Sequence, residues 1–170
     1  MMDRTLQMHF YFGGMIIAYS LVIYHVYHYY HKNNCISSII CNTQLRYDIL
    51  LGMLLMGIFV ILYEQKRNCK WSQVFIYILL LCLYLLLFLD EKSILHIVLS
   101  YIIFLCILSF LYIHKHKTTF LTMLFYIYIG FMLCVPFFQH TPLFFHIELI
   151  LLLCFAIYYI YLHFIDSCPS

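Results

Sequence analysis

Long uncharged runs alternate with short polar connections along the whole chain. The runs are continuously apolar and lack the period-two alternation of barrel strands, so they predict helices. A helix needs about 20 apolar residues, within a range of about 17–25, to cross a bilayer. The pattern therefore predicts an all-α, polytopic transmembrane bundle of about six spanning helices, at 10–30, 47–63, 71–89, 93–113, 118–139 and 143–165.

The connections between these runs are short, and only the first, residues 31–46, has room for more than a turn. No low-complexity linker or internal repeat divides the chain, which predicts one integral membrane domain over residues 1–170. Pro136 is expected to kink the fifth helix or to mark its end. Any function should therefore reside within the membrane or at its surface.

Composition supports this interpretation. The chain is 66% hydrophobic and 9% charged, whereas a soluble domain carries about 25% charged residues. A chain of 170 residues cannot bury so much apolar surface in one aqueous core. The net charge is +2 and the basic residues form no stripe, so the expected partner is the lipid bilayer and not nucleic acid.

Orientation follows from the Lys and Arg residues near the helix ends. We call the side of the bundle that holds the start of the first helix side A, and the opposite side side B. Side A carries Arg4, Lys66, Arg67, Lys70, Lys115 and Lys117, and side B carries Lys32, Arg46 and Lys92. This excess predicts that both termini are cytosolic. Residues 114–117, His-Lys-His-Lys, are expected to form a turn that binds lipid headgroups on side A.

Side B should gather most of the histidines and carboxylates. His25 ends the first run, Asp48 opens the second, and His146 opens the sixth. Glu148 lies about one and a half turns inside the sixth run. Ionisable residues within spans tend to face a bundle interior or a cavity. Imidazole and carboxylate with a bound water form a catalytic zinc set. The alternative is that these histidines only reach headgroups at the interface.

The order of these residues carries a family resemblance. SLVIYH runs from Ser20 to His25, CNTQLRYD ends at Asp48, and HTPLFFHIE runs from His140 to Glu148. This order resembles the CREST superfamily, with its alkaline ceramidases and adiponectin-receptor-like proteins. The stretch to Asp48 and the segment LFLDEK are most similar to the myomaker and GPI-phospholipase branch. The family pattern is Ser-x-x-x-His, then Asp, then His-x-x-x-His, and both His spacings are longer here.

The resemblance implies a metal-dependent lipid amide or ester hydrolase, or a fusion-type relative. Zinc would be the cofactor, with His25, Asp48 and His146 as its ligands. Ser20 would support the water or the oxyanion, and Glu148 is the second catalytic candidate. The substrate would be a lipid. A degenerate, non-hydrolytic member of the family is equally consistent with the altered spacings.

Other functions are open to the same sequence. The short loops and the incomplete motif favour a non-enzymatic subunit of a membrane complex, of organellar or viral type, with membrane proteins as partners. A proton or ion pathway through Glu148 is disfavoured because the side-A halves of most runs are apolar. A haem protein is disfavoured because the second, third and fifth runs contain no internal histidine.

Overall fold

The computed structural model describes residues 3–29, 36, 39, 46–89, 93–138, 141 and 143–167, with backbone alone at Arg46 and Ser167. These residues form six long α-helices and no strand, which confirms the predicted all-α fold. The helices are α1 Arg4–His28, α2 Arg46–Arg67, α3 Lys70–Leu86, α4 Ile94–His114, α5 Thr119–Phe138 and α6 Phe144–Ser167. A 3-10 turn, Lys115–Lys117, joins α4 to α5.

Five of the described helices are long and apolar enough to cross a membrane, as a multi-pass membrane protein requires. They are α1, α2, α4 with its following turn, α5 and α6. Helix α3 is apolar but has only 17 residues. At a rise of about 1.5 Å per residue, it reaches about 26 Å, slightly less than a hydrocarbon core of about 30 Å.

Several predicted boundaries are wrong, because helices do not end where polar residues begin. Helix α1 starts at Arg4 and not at residue 10, and α2 continues past Tyr63 to Arg67. The backbone hydrogen bonds of a helix can continue through polar residues as well as through apolar ones. Helix α3 ends earlier than expected, at Leu86. Pro136 lies in the last turn of α5, near the helix end that it was expected to mark.

Consecutive helices run antiparallel, and the main packing is α1 on α2, α3 on α4, and α5 on α6. On side A, the Arg4 guanidinium donates to the Lys66 carbonyl, with Nη2 at 2.6 Å from the oxygen. His9 near the start of α1 also meets His163 near the end of α6. Both ends of the described chain therefore lie on the same side of the bundle.

At Gly57, helix α2 lies against the Tyr84 side chain of α3. A Cβ atom at this position would lie 2.0 Å from the Tyr84 hydroxyl oxygen. The same hydroxyl donates a hydrogen bond to the Met53 carbonyl at 2.7 Å. Small residues at such crossings let helices approach each other in a bilayer, where packing and interhelical hydrogen bonds hold them together.

We expect Gly57→Ala to destabilise the protein by about 1–3 kcal/mol, because the methyl group must displace the Tyr84 ring. Titration with SDS in mixed micelles measures the free energy of unfolding. In a Tyr84→Phe background the hydroxyl is gone, so the same substitution should cost less. Gly130→Ala is the matched control, since a Cβ there meets nothing within 4 Å. Equal losses in both Gly57 backgrounds would refute this account.

Candidate functional site

The structure does not bring the predicted metal ligands together into a group of three. His25 is half-buried in the last turn of α1, while Asp48 and His146 are exposed in the first turns of α2 and α6. Ser20 is exposed on α1. Across the described ranges, no three His, Cys, Asp or Glu side chains are placed to hold one metal ion. The zinc set therefore stays a prediction.

Glu148 has a contact of its own on side B. One of its carboxylate oxygens accepts a hydrogen bond from the backbone N–H of Ile36, at 2.8 Å. Ile36 is itself buried, in a small apolar cluster with Val26, Ile49 and Phe145. The carboxylate thus joins Ile36 to α6. The structure does not describe the other histidines and carboxylates expected on side B, which are His31, Asp90, Glu91 and His140. The two cysteines of the first connection, Cys35 and Cys41, also lie outside the described residues.

The most extensive buried polar contacts lie on side A, around Glu64 of α2. We call Glu64, Arg67, Ser72, His114, Lys117, Tyr159 and Asp166 the Glu64 network. Glu64 is completely buried. Its Oε1 accepts from Arg67 Nη1 at 2.9 Å and from the Tyr159 hydroxyl. Its Oε2 accepts from the Ser72 hydroxyl at 2.8 Å. One carboxylate thus joins α2, α3 and α6.

Arg67 extends the network to the other helices of side A. Its side chain is 3% exposed, and its Nε lies 3.2 Å from an Asp166 carboxylate oxygen. Its Nη2 donates to His114 Nε2, and its guanidinium lies over the Phe110 ring, 5.4 Å from the centroid. His114 is buried in this contact, which corrects the prediction that it binds headgroups.

Charge is balanced within the Glu64 network. Glu64 and Asp166 are anionic, Arg67 and Lys117 are cationic, and Lys117 pairs with Asp166 at the rim. A buried charge is strongly unfavourable unless it is paired and hydrogen-bonded. The internal pairing is what allows Glu64 and Arg67 to be buried inside the bundle.

A second set of contacts lies beside the network. His163 is buried and forms hydrogen bonds through both ring nitrogens, to the Tyr63 hydroxyl at 2.9 Å and to His9 Nδ1 at 3.0 Å. Its ring stacks on Phe12 with centroids 3.8 Å apart. His9 itself is exposed. These contacts fix α1 against α2 and α6.

The Glu64 network connects helices through hydrogen bonds and ion pairs, and its geometry does not suit catalysis. A general acid or base must reach the proton that it transfers in a bound substrate. Both Glu64 oxygens already accept from internal donors, and the side chain has no exposure. The network therefore holds helices together and leaves Glu64 without access for a substrate.

From the sequence, Glu64 belonged only to a short connection and Arg67 counted only towards the orientation, although two signals of a structural role were present. Glu64 and Arg67 are spaced i, i+3, and Tyr159 and His163 are spaced i, i+4, so each pair shares a helix face. Neither spacing determines which helix faces contact each other across the bundle.

Comparison of the chain with protein-family models, with curated proteins and with solved structures finds no match.

Proposed function

We propose that this multi-pass membrane protein acts without catalysis, as a structural or interaction subunit of a membrane complex. The observation that carries the proposal is Glu64, whose buried carboxylate is used entirely to join helices. Among the catalytic and metal-binding candidates, in contrast, Ser20, Asp48 and His146 are exposed, His25 is half-buried, and Glu148 accepts a hydrogen bond from the Ile36 backbone. The most extensive buried polar contacts in the described chain therefore stabilise the packing of its helices.

The outer faces of the helices are the surface that such a subunit offers. Large apolar side chains cover them, for example Leu133 at 69% exposure and Phe137 at 82% on α5. Gly130 interrupts this face with open space where a side chain would be. In a bilayer, small residues flanked by large ones favour close helix packing. We place the partner's helix along this face of α5.

Site-specific photo-cross-linking tests the proposal in the native membrane. A photoreactive phenylalanine analogue at Leu133 should give one discrete protein adduct, and the complex should co-purify in fixed stoichiometry. The same analogue at Leu105, 61% exposed on α4, is the matched control. Gly130→Leu should abolish the adduct by filling the gap. A monomeric protein that cross-links only to lipid at both positions would overturn the proposal.

Zinc analysis separates this proposal from the hydrolase suggested by the CREST resemblance. We expect the purified protein to lack stoichiometric zinc and to keep its stability after treatment with a chelator. One zinc per chain, lost in both His25→Ala and Asp48→Ala, would contradict the subunit proposal. It would then favour a lipid hydrolase with His25, Asp48 and His146 as ligands, assisted by Ser20 and Glu148.

A further inference from the structure

An apolar groove opens on the outer surface of the bundle near side A, between α3, α4 and α5. It has a volume of about 330 Å³, within the range of about 300–1,000 Å³ for small-molecule sites. Phe75, Leu108, Ser109, Tyr112, Ile113 and Phe125 line it. Phe125 is buried, whereas Tyr112 is 58% exposed. The groove therefore opens towards the surroundings of the bundle and not towards its core.

A cation stands at the side-A end of this groove. The Lys115 ammonium lies over two lining rings, 4.0 Å from the centroid of Tyr112 and 4.9 Å from that of Phe125. In the part of the chain that the structure describes, no carboxylate lies within ion-pair distance of Lys115. Arg67 and Lys117 differ in this respect, because Arg67 pairs with Glu64 and Asp166, and Lys117 pairs with Asp166.

From these two observations we propose that the groove binds one anionic phospholipid of the side-A leaflet. One acyl chain lies along Phe75, Leu108 and Phe125, and the phosphate meets the Lys115 ammonium. An apolar groove alone accepts any acyl chain, but the cation at its end selects a negatively charged headgroup. Basic pockets between transmembrane helices recognise anionic lipids for the same reason.

The depth of the groove fits this lipid. Trp71 lies one turn before Phe75 on α3, towards side A, and is 70% exposed. Tryptophan is enriched at the level of the headgroups, where an amphipathic ring is most stable. Trp71 and Lys115 thus place the side-A end of the groove at the interface. The rest of the groove extends towards the hydrocarbon. This binding site goes beyond the proposed subunit role and does not depend on it.

Tryptophan quenching tests the site, because Trp71 is the single tryptophan of the chain. The full-length protein is reconstituted in phosphatidylcholine vesicles that contain acyl-brominated phosphatidylglycerol or acyl-brominated phosphatidylcholine. One lysine near the surface is worth about 1 kcal/mol to an anionic lipid, which corresponds to a preference of about fivefold. We expect this preference in the wild type and its loss in Lys115→Gln.

Two further variants separate a site from a general surface charge. Lys66→Gln removes a side-A cation that does not line the groove, and should keep the preference. Ser109→Phe fills the groove and should lower quenching by brominated phosphatidylglycerol. A wild type without preference would overturn the proposal, as would equal losses in Lys66→Gln and Lys115→Gln. Undiminished quenching in Ser109→Phe would exclude the groove as the place of the acyl chain.

Discussion

Replacing Glu64 by alanine is expected to destabilise the folded protein by about 3–5 kcal/mol, the cost of breaking a buried ion pair from one side. The substitution leaves the Arg67 guanidinium with Asp166 as its remaining carboxylate. It also leaves the buried Ser72 and Tyr159 hydroxyls without the acceptor that they share. Both effects add to the free energy lost.

Unfolding by SDS in mixed micelles measures this loss. Gln65→Ala is the matched control, because Gln65 is the exposed neighbour in the same helical turn, and it should change stability by about 0.5 kcal/mol at most. The double variant Glu64→Leu, Arg67→Met removes both charges and should be more stable than Glu64→Ala. A Glu64→Ala protein within 1 kcal/mol of the wild type, a threshold of about the size of a surface ion pair, would refute the cross-linking role.

The second large effect is expected at Phe110, which is completely buried on α4, one turn before His114. Its ring stacks on Tyr159 with centroids 5.5 Å apart and meets Phe155 edge-on at 5.7 Å. Phe110→Ala should therefore leave a cavity and cost about 3–5 kcal/mol of unfolding free energy. The loss also removes the ring beneath the Arg67 guanidinium.

Thermal unfolding in detergent and the SDS titration should agree on this ranking. Phe88→Ala makes the same change at a side chain that is 62% exposed, so no cavity forms and stability should change little. Phe110→Leu keeps much of the volume without the aromatic ring, and should lie between Phe110→Ala and the wild type. Similar losses at Phe110 and Phe88 would contradict the packing described for side A.

The fold class was predictable from the sequence because long apolar runs have few stable alternatives. The ends of the helices were less predictable. The uncharged run ends at Tyr63, just before Glu64. Helix α2 nevertheless continues to Arg67, because Glu64 and Arg67 pair with each other. Likewise, His114 in a basic turn predicts exposure, but its ring is buried against Arg67.

The Glu64 network was not predictable, since its partners are brought together only by the tertiary fold. Glu64 and Tyr159 are separated by 95 positions, and their contact depends on how α2 and α6 face each other. The described helix ends next to His25, Asp48 and His146 lie together, since Val26, Ile49 and Phe145 share one apolar cluster. Topology fixes the side on which a helix end lies, but it does not fix the direction of a side chain around the helix. For this reason Asp48 and His146 share a side and are both exposed.

The position of Tyr159 and Asp166 on the last helix has a consequence for biosynthesis. Glu64 and Arg67 enter the membrane with α2, but two of their partners do not exist until α6 has been translated. At about 5–20 residues per second, the 95 positions to Tyr159 correspond to a delay of about 5–19 s. During that interval the first helical hairpin carries an incompletely satisfied charged pair. A nascent chain that stops before α6 would lack Tyr159 and Asp166, and would keep this pair incompletely satisfied.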